Sequence, residues 1–194
     1  MATTRILLGI ICLVTIGSSY NRNGNLLKYW AGHLYTERIK RIMSGPIQKK
    51  YKKLIPIAQA ELWVREETGK NDGKRIEEYQ AVAGLKKGDP YCAAFISWVF
   101  KQAGYSAPRT GWSPALFPMA KLVKAAVPGN VFGIYFPALK RIAHCGFIEG
   151  VNGDWITTIE GNTNVPGSRS GDGVHRRMRH KKTVYRYSEW RSKL

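Results

Sequence analysis

The chain has 194 residues, 44% of them hydrophobic and 11% aromatic, which is enough apolar material for one sizeable core and excludes a globally disordered chain. Lys and Arg total 31 against 13 Asp and Glu, a formal charge of +18, so the surface seeks polyanions: nucleic acid, anionic lipid or an acidic cell-wall polymer. Three cysteines are too few for a disulfide scaffold, and no Cys/His cluster has zinc-site spacing.

At the start of the chain, Arg5 precedes an apolar run from Ile6 to Ile16, followed by the small residues Gly17, Ser18 and Ser19. The run falls well short of the roughly 20 residues that span a bilayer. It reads as a secretory signal peptide over 1–19, which places the mature protein in the periplasm or at the cell wall. An uncleaved anchor and a buried N-terminal helix are the alternatives. Residues 20–54 read as a basic arm, holding Gln48-Lys49-Lys50-Tyr51-Lys52-Lys53, either a solvated surface or a contact for an anionic one.

The compact domain is expected over 55–194. Pro56 opens a predicted helix in which Ile57, Ala60, Glu61 and Val64 recur at helical spacing up to Gly69. A second helix is predicted from Arg75 to Ala83, ended by Gly84. Asp89-Pro90 then reads as cap and first position of a third helix running to Ala103, with Gly104 as its stop. Ser113-Pro114 suggests another helix towards Ala126, with Pro118 as a kink. After Pro128 the period changes. Val131 to Phe136, Ile142 to Glu149 and Trp155 to Ile159 read as strands, with Asn152-Gly153-Asp154 as a hairpin turn. Gly173 to Arg179 and Thr183 to Tyr187 are further candidate strands. Helices followed by consecutive strands predict an α+β domain with an antiparallel sheet.

In this reading Cys92 falls at the third position of a capped helix, where unpaired N–H groups and the helix dipole favour a thiolate. Its own N–H also faces any oxyanion formed beside it. A small buried hydrophobe is the other reading, since Cys92 shares a face with Phe95, Ile96 and Val99. A thiolate needs a base and a group to orient it. His33 lies in the arm, and His175 and His180 lie among arginines. His144 stands in the apolar strand Ile142-Ala143-His144-Cys145-Gly146-Phe147-Ile148, which offers no structural reason for a polar ring. Strand alternation turns His144 and Cys145 to opposite faces, so only one of them is expected to look towards Cys92. If His144 does, Cys145 is a buried filler; if Cys145 does, a Cys92–Cys145 disulfide becomes possible in an oxidising compartment. Centring the hairpin on Gly153 sets His144 opposite Asn162, with Glu160 on the same face, so both polar groups reach the imidazole.

Asp89-Pro90-Tyr91-Cys92-Ala93-Ala94-Phe95, Ile142-Ala143-His144-Cys145-Gly146-Phe147-Ile148 and Ile159-Glu160-Gly161-Asn162-Thr163 together resemble CHAP-type domains, over roughly residues 55–190. These are papain-like cysteine amidases and peptidases that cut the peptide part of peptidoglycan. The resemblance implies Cys92 as nucleophile, His144 as general base, Glu160 as the ring-orienting acid and Asn162 as its polar assistant. It implies stem or cross-bridge peptides as substrate, and Trp112, Ser113 and Trp155 are candidates to line the cleft. Cys145 beside the histidine departs from the family pattern. Some relatives bind calcium through an aspartate-rich loop, but Asn71-Asp72 supplies too few oxygens, so neither metal nor cofactor is expected. A monomer is expected, with the anionic cell-wall surface as partner. The basic residues form no recognition helix or RNA-binding motif, so no specific nucleic acid is expected. A non-catalytic basic wall- or polyanion-binding module is the competing reading.

Overall fold

In the computed structural model, which describes residues 54–164 and 171–191, helices precede a six-stranded antiparallel sheet, the α+β arrangement that the pattern predicts. The expected signal segment, and the expected arm as far as residue 53, lie outside the described residues.

Helix α1 (Leu54–Ala60) stops earlier than its apolar spacing suggests. Glu61 is drawn inside, where it accepts a 2.5 Å hydrogen bond from the Tyr79 hydroxyl and faces Arg75 Nε at 3.3 Å. These tertiary partners override the helical period. Val64 is extended, and its carbonyl accepts from Val174 N at 3.0 Å. Helix α2 (Lys74–Val82) ends close to where it was expected, with Gly84 at φ +68°. Helix α3 (Cys92–Gln102) is the core element, with every residue from Cys92 to Phe100 buried. A helix apolar on all sides must be enclosed, and this one is. Its one hydroxyl is matched: Ser97 Oγ donates to Thr110 O and accepts from Thr110 N, both at 2.9 Å.

The helix expected from Ser113 towards Ala126 does not form. Two 3₁₀ turns, Ser113–Leu116 and Met119–Lys121, are separated by Pro118, which has no N–H to continue a ladder. The chain then becomes extended as β1 (Leu122–Val123). The remaining strands are β2 (Val131–Phe136), β3 (Arg141–Asn152), β4 (Trp155–Thr163), β5 (Gly173–His180) and β6 (Arg186–Ser188), in spatial order β1-β6-β2-β3-β4-β5. The last strand starts later than predicted because Lys181–Thr183 form a 3₁₀ turn, held by Lys182 N donating to the His180 ring.

One sheet face packs on α3. The Phe147 ring lies 6.4 Å from Phe95 and 5.6 Å from Phe100, and Cys145 and Ile159 share that cluster. Truncating a buried Phe here should cost about 3–5 kcal/mol. A smaller cluster of Phe132, Ile148 and Ile156 is packed against Ile134, Val184 and Tyr187.

Two irregularities in the ladders position the site. The β3–β4 hairpin turns through Gly153-Asp154, with Asn152 opposite Trp155 and Gly153 at φ +53°. A bulge at Glu149 then shifts the pairing, giving Ile148↔Thr158 and Phe147↔Ile159. The second bulge, at Ala143 between the pairs Ile134↔His144 and Tyr135↔Ile142, lies directly beside the histidine.

Candidate active site

Cys92 is the first residue of α3, not the third. Asp89 does not cap this helix: its carboxylate accepts from Lys86 N at 2.8 Å and closes the preceding turn, while Tyr91 takes the cap position without a side-chain bond. The consequence for Cys92 is unchanged, since the first-turn amides have no partner within the helix and carry the positive end of its dipole.

His144 Nε2 and Glu160 Oε2 are 2.7 Å apart, which leaves Nδ1 for the sulfur of Cys92. Glu160 is wholly buried and heavily engaged. Arg179 Nε and Nη2 donate to its two oxygens at 2.6 and 2.5 Å, and Thr158 Oγ1 donates to Oε1 at 2.6 Å. Gly146 makes room for this crossing, because a Cβ there would lie 2.7 Å from both Glu160 Cγ and Phe132 Cε1. Burial alone would neutralise the carboxylate, but Arg179 and His144 outweigh it and hold Glu160 at about 2. Burial likewise opposes an imidazolium, yet hydrogen bonds to Cys92 and Glu160 lift His144 to about 9. For Cys92, a hydrogen bond from the Cys145 thiol outweighs burial, and His144 and Ser113 add to it, so the thiol is held well below its ordinary value. The groups together favour a thiolate–imidazolium pair.

Cys145 corrects the expectation from strand parity. It faces α3 from the core, wholly buried, with Sγ 4.0 Å from Ser113 Oγ, while Cys92 Sγ lies 3.3 Å from the same oxygen. His144 nevertheless reaches Cys92 as well. The bulge at Ala143 explains how, since an extra residue re-aims the neighbouring side chain out of strict alternation. Both cysteines are free thiols. Burial and the adjacent Cys92 push the Cys145 thiol well above its ordinary value, so Cys92 is the one that ionises.

The other expected residues divide. Ser113 is buried against the sulfur, and the half-exposed Trp112 stands beside it with the Arg141 guanidinium 4.3 Å from its ring centre. Trp155 is misplaced: it sits at the hairpin turn beside His180, about 16 Å along β4 from Glu160. Asn162 makes no hydrogen bond to His144 among the described residues. It is the bulged residue of β4 at φ +54°; its backbone amide meets the Tyr91 hydroxyl, and its Oδ1 lies against Gly171. Arg179 was invisible in the sequence, where it counts as one more charge in a basic strand. Thr158, two residues before Glu160 on the same face, carried a weak signal. Asp72, in the loop considered for calcium, is bound at 2.9 Å by Thr68 N and Thr68 Oγ1.

No family model matches the chain, and no curated protein matches it. Among solved structures it is similar to Ly7917, at 15% identity over 71% of this chain and 60% of that one, with a TM-score of 0.42. A second structure, Ly7917 "with the hydrolyzing product of MDP", aligns at 15% identity over 71% and 61%, with a TM-score of 0.39. The chain therefore spans about 60% of the length of Ly7917.

Proposed function

We propose that this protein is an exported cysteine hydrolase that cleaves amide bonds in the peptide part of peptidoglycan. The observation that carries the reading is the series Cys92–His144–Glu160–Arg179, buried at Cys92 and Glu160 and partly buried at His144 and Arg179, in which each group favours the charged form of the next. A nucleophile at a helix start, facing a base on an antiparallel sheet, is also what the likeness to papain-like CHAP domains implies. The substrate class rests on that likeness and on the charge of +18, which suits an anionic wall.

In the mechanism, the Cys92 thiolate attacks the amide carbon, and the carbonyl π pair moves onto oxygen. The Cys92 N–H and the Ser113 hydroxyl are the donors available to that oxyanion. As the C–N bond breaks, the imidazolium of His144 gives its proton to the leaving nitrogen, which departs as an amine. Water then loses a proton to His144 and attacks the thioester, releasing the acid and restoring the thiolate. Glu160 keeps the ring orientation and stabilises the imidazolium throughout, and Arg179 keeps Glu160 ionised.

The test is mass analysis of fragments released from purified sacculi. The wild-type protein should release peptides with new amide-cleavage ends, and Cys92→Ala, a small change at the helix start, should release none while staying folded. Equal release by both proteins would remove Cys92 from the chemistry. Binding to sacculi without release by either would favour a non-catalytic wall-binding module.

A further inference from the structure

Among the described arginines, Arg75, Arg176, Arg179 and Arg191 each pair with a carboxylate, whereas Arg65, Arg109, Arg141, Arg177 and Arg186 pair with none. Of the unpaired ones, Arg141 is the one that lies over Trp112 beside Ser113, and its one described hydrogen bond runs from Nη1 to the Ile142 carbonyl at 3.2 Å. Its position is fixed from two sides. It begins β3, three residues before His144, and its guanidinium stacks 4.3 Å from the centre of Trp112, the residue before Ser113. Both routes lead to the Cys92 sulfur, through His144 and through Ser113. Trp112 is 54% exposed, although it stands next to the buried Ser113.

A guanidinium over an aromatic ring keeps its in-plane N–H donors available, here those that the Ile142 carbonyl does not take. A guanidinium held over an indole, 4.3 Å from its centre, is already restrained, so less rotamer freedom is lost when it binds a partner with two acceptor oxygens. Lysine would offer neither the stack nor the fork. We propose that Arg141, seated on Trp112, is a specificity-determining subsite that binds a carboxylate of the substrate close to the cleaved amide. This rests on the proposed hydrolase reading and narrows it: peptides with a free carboxylate beside the cleaved bond are preferred over those in which it is a carboxamide.

The experiment uses a matched pair of muramyl peptides, one with free side-chain carboxyls and one with the same groups amidated. The wild-type protein should cleave the free form with the lower KM. Arg141→Ala should raise KM for the free form by about 10- to 100-fold, the scale of a lost charge-assisted bond, with kcat within a few-fold and the amidated form unaffected. Arg141→Lys keeps the charge but loses the fork, and should recover only part of that loss. Equal wild-type KM for the two peptides, or an equal loss on both in Arg141→Ala, would overturn the proposal. If the wild type cleaves neither peptide, the hydrolase reading fails, and calorimetric binding to Cys92→Ala decides the subsite separately. Binding of the free form that vanishes in the Cys92→Ala/Arg141→Ala double variant supports it; binding that persists, or no binding at all, overturns it.

Discussion

At the scale of single residues, protonation organises the site. With Cys92 held well below its ordinary value and His144 raised to about 9, the thiolate–imidazolium pair spans a wide window ending near pH 9. The rate should therefore fall on the alkaline side as His144 loses its proton. Stability follows the same groups. His144, raised above its ordinary 6.5, contributes in full below that value and ceases to contribute as pH rises through about 9. Glu160, depressed from its ordinary 4.5, contributes above that value and ceases to contribute as pH falls towards about 2. Glu160→Gln removes the carboxylate that supports the imidazolium and leaves Arg179 without its partner. It should lower kcat on the order of 10²- to 10⁴-fold and move the alkaline limb of the pH–rate profile down. Asn162→Ala should leave that limb in place, since Asn162 engages Tyr91 and Gly171 and not the ring. Comparing the two profiles on one muropeptide checks both, and the reverse order would return the orienting role to Asn162.

At the scale of elements, the site depends on where ladders break as much as on where they run. At Gly146 an added Cβ would also lie 2.9 Å from Ile159 O, a backbone atom that cannot swing aside. Gly146→Ala should destabilise the fold by about 1–3 kcal/mol, an overpacking cost, and lower kcat by displacing Glu160 from His144. Thermal melting together with steady-state kinetics reads both effects. Strands β2 to β5, the hairpin and helices α2 and α3 were legible because their apolar periods and Gly stops are local signals, whereas α1 ends at Ala60, well before the expected stop at Gly69. The register of His144 with Glu160 was also legible, though by compensation: the turn centres half a residue beyond Gly153, and the Glu149 bulge restores the pairing. The rest was hidden for physical reasons. Parity misjudged Cys145 because a one-residue bulge carries no sequence mark. Asp89 looked like a helix cap because a turn four residues long, closed at Lys86 N, uses the same residue types. The segment 113–123 resists a period-based reading because short 3₁₀ turns have none.

At the scale of the whole molecule, the charge of +18 is the dominant feature. Not all of it is free for a wall. Of the basic cluster near β5, Arg176 is bound by Glu149 at 2.6 Å and Arg179 by Glu160, which leaves Arg177, Lys181 and Lys182 without carboxylates among the described residues. In the proposed wall binding, the attraction should therefore rest more heavily on Arg38, Lys40, Arg41, Lys49, Lys50, Lys52 and Lys53. Binding to sacculi should weaken steeply with salt, because the Debye length shrinks from about 10 Å at 0.1 M to about 3 Å at 1 M. Cleavage of a small soluble muropeptide in the buried site should change little. Deleting residues 20–50 should flatten the salt slope of pelleting with sacculi, and an unchanged slope would mean that these residues serve only solubility.

The central claim is that Cys92, and not its neighbour Cys145, is the ionised nucleophile. Iodoacetamide labelling at mildly acid pH, with the modified peptide mapped by mass spectrometry and residual hydrolysis measured on the same samples, tests it directly. One label is expected, on Cys92, with hydrolysis lost in proportion and Cys145 unmodified. Hydrolysis undiminished after full labelling of Cys92, or labelling confined to Cys145, would contradict it.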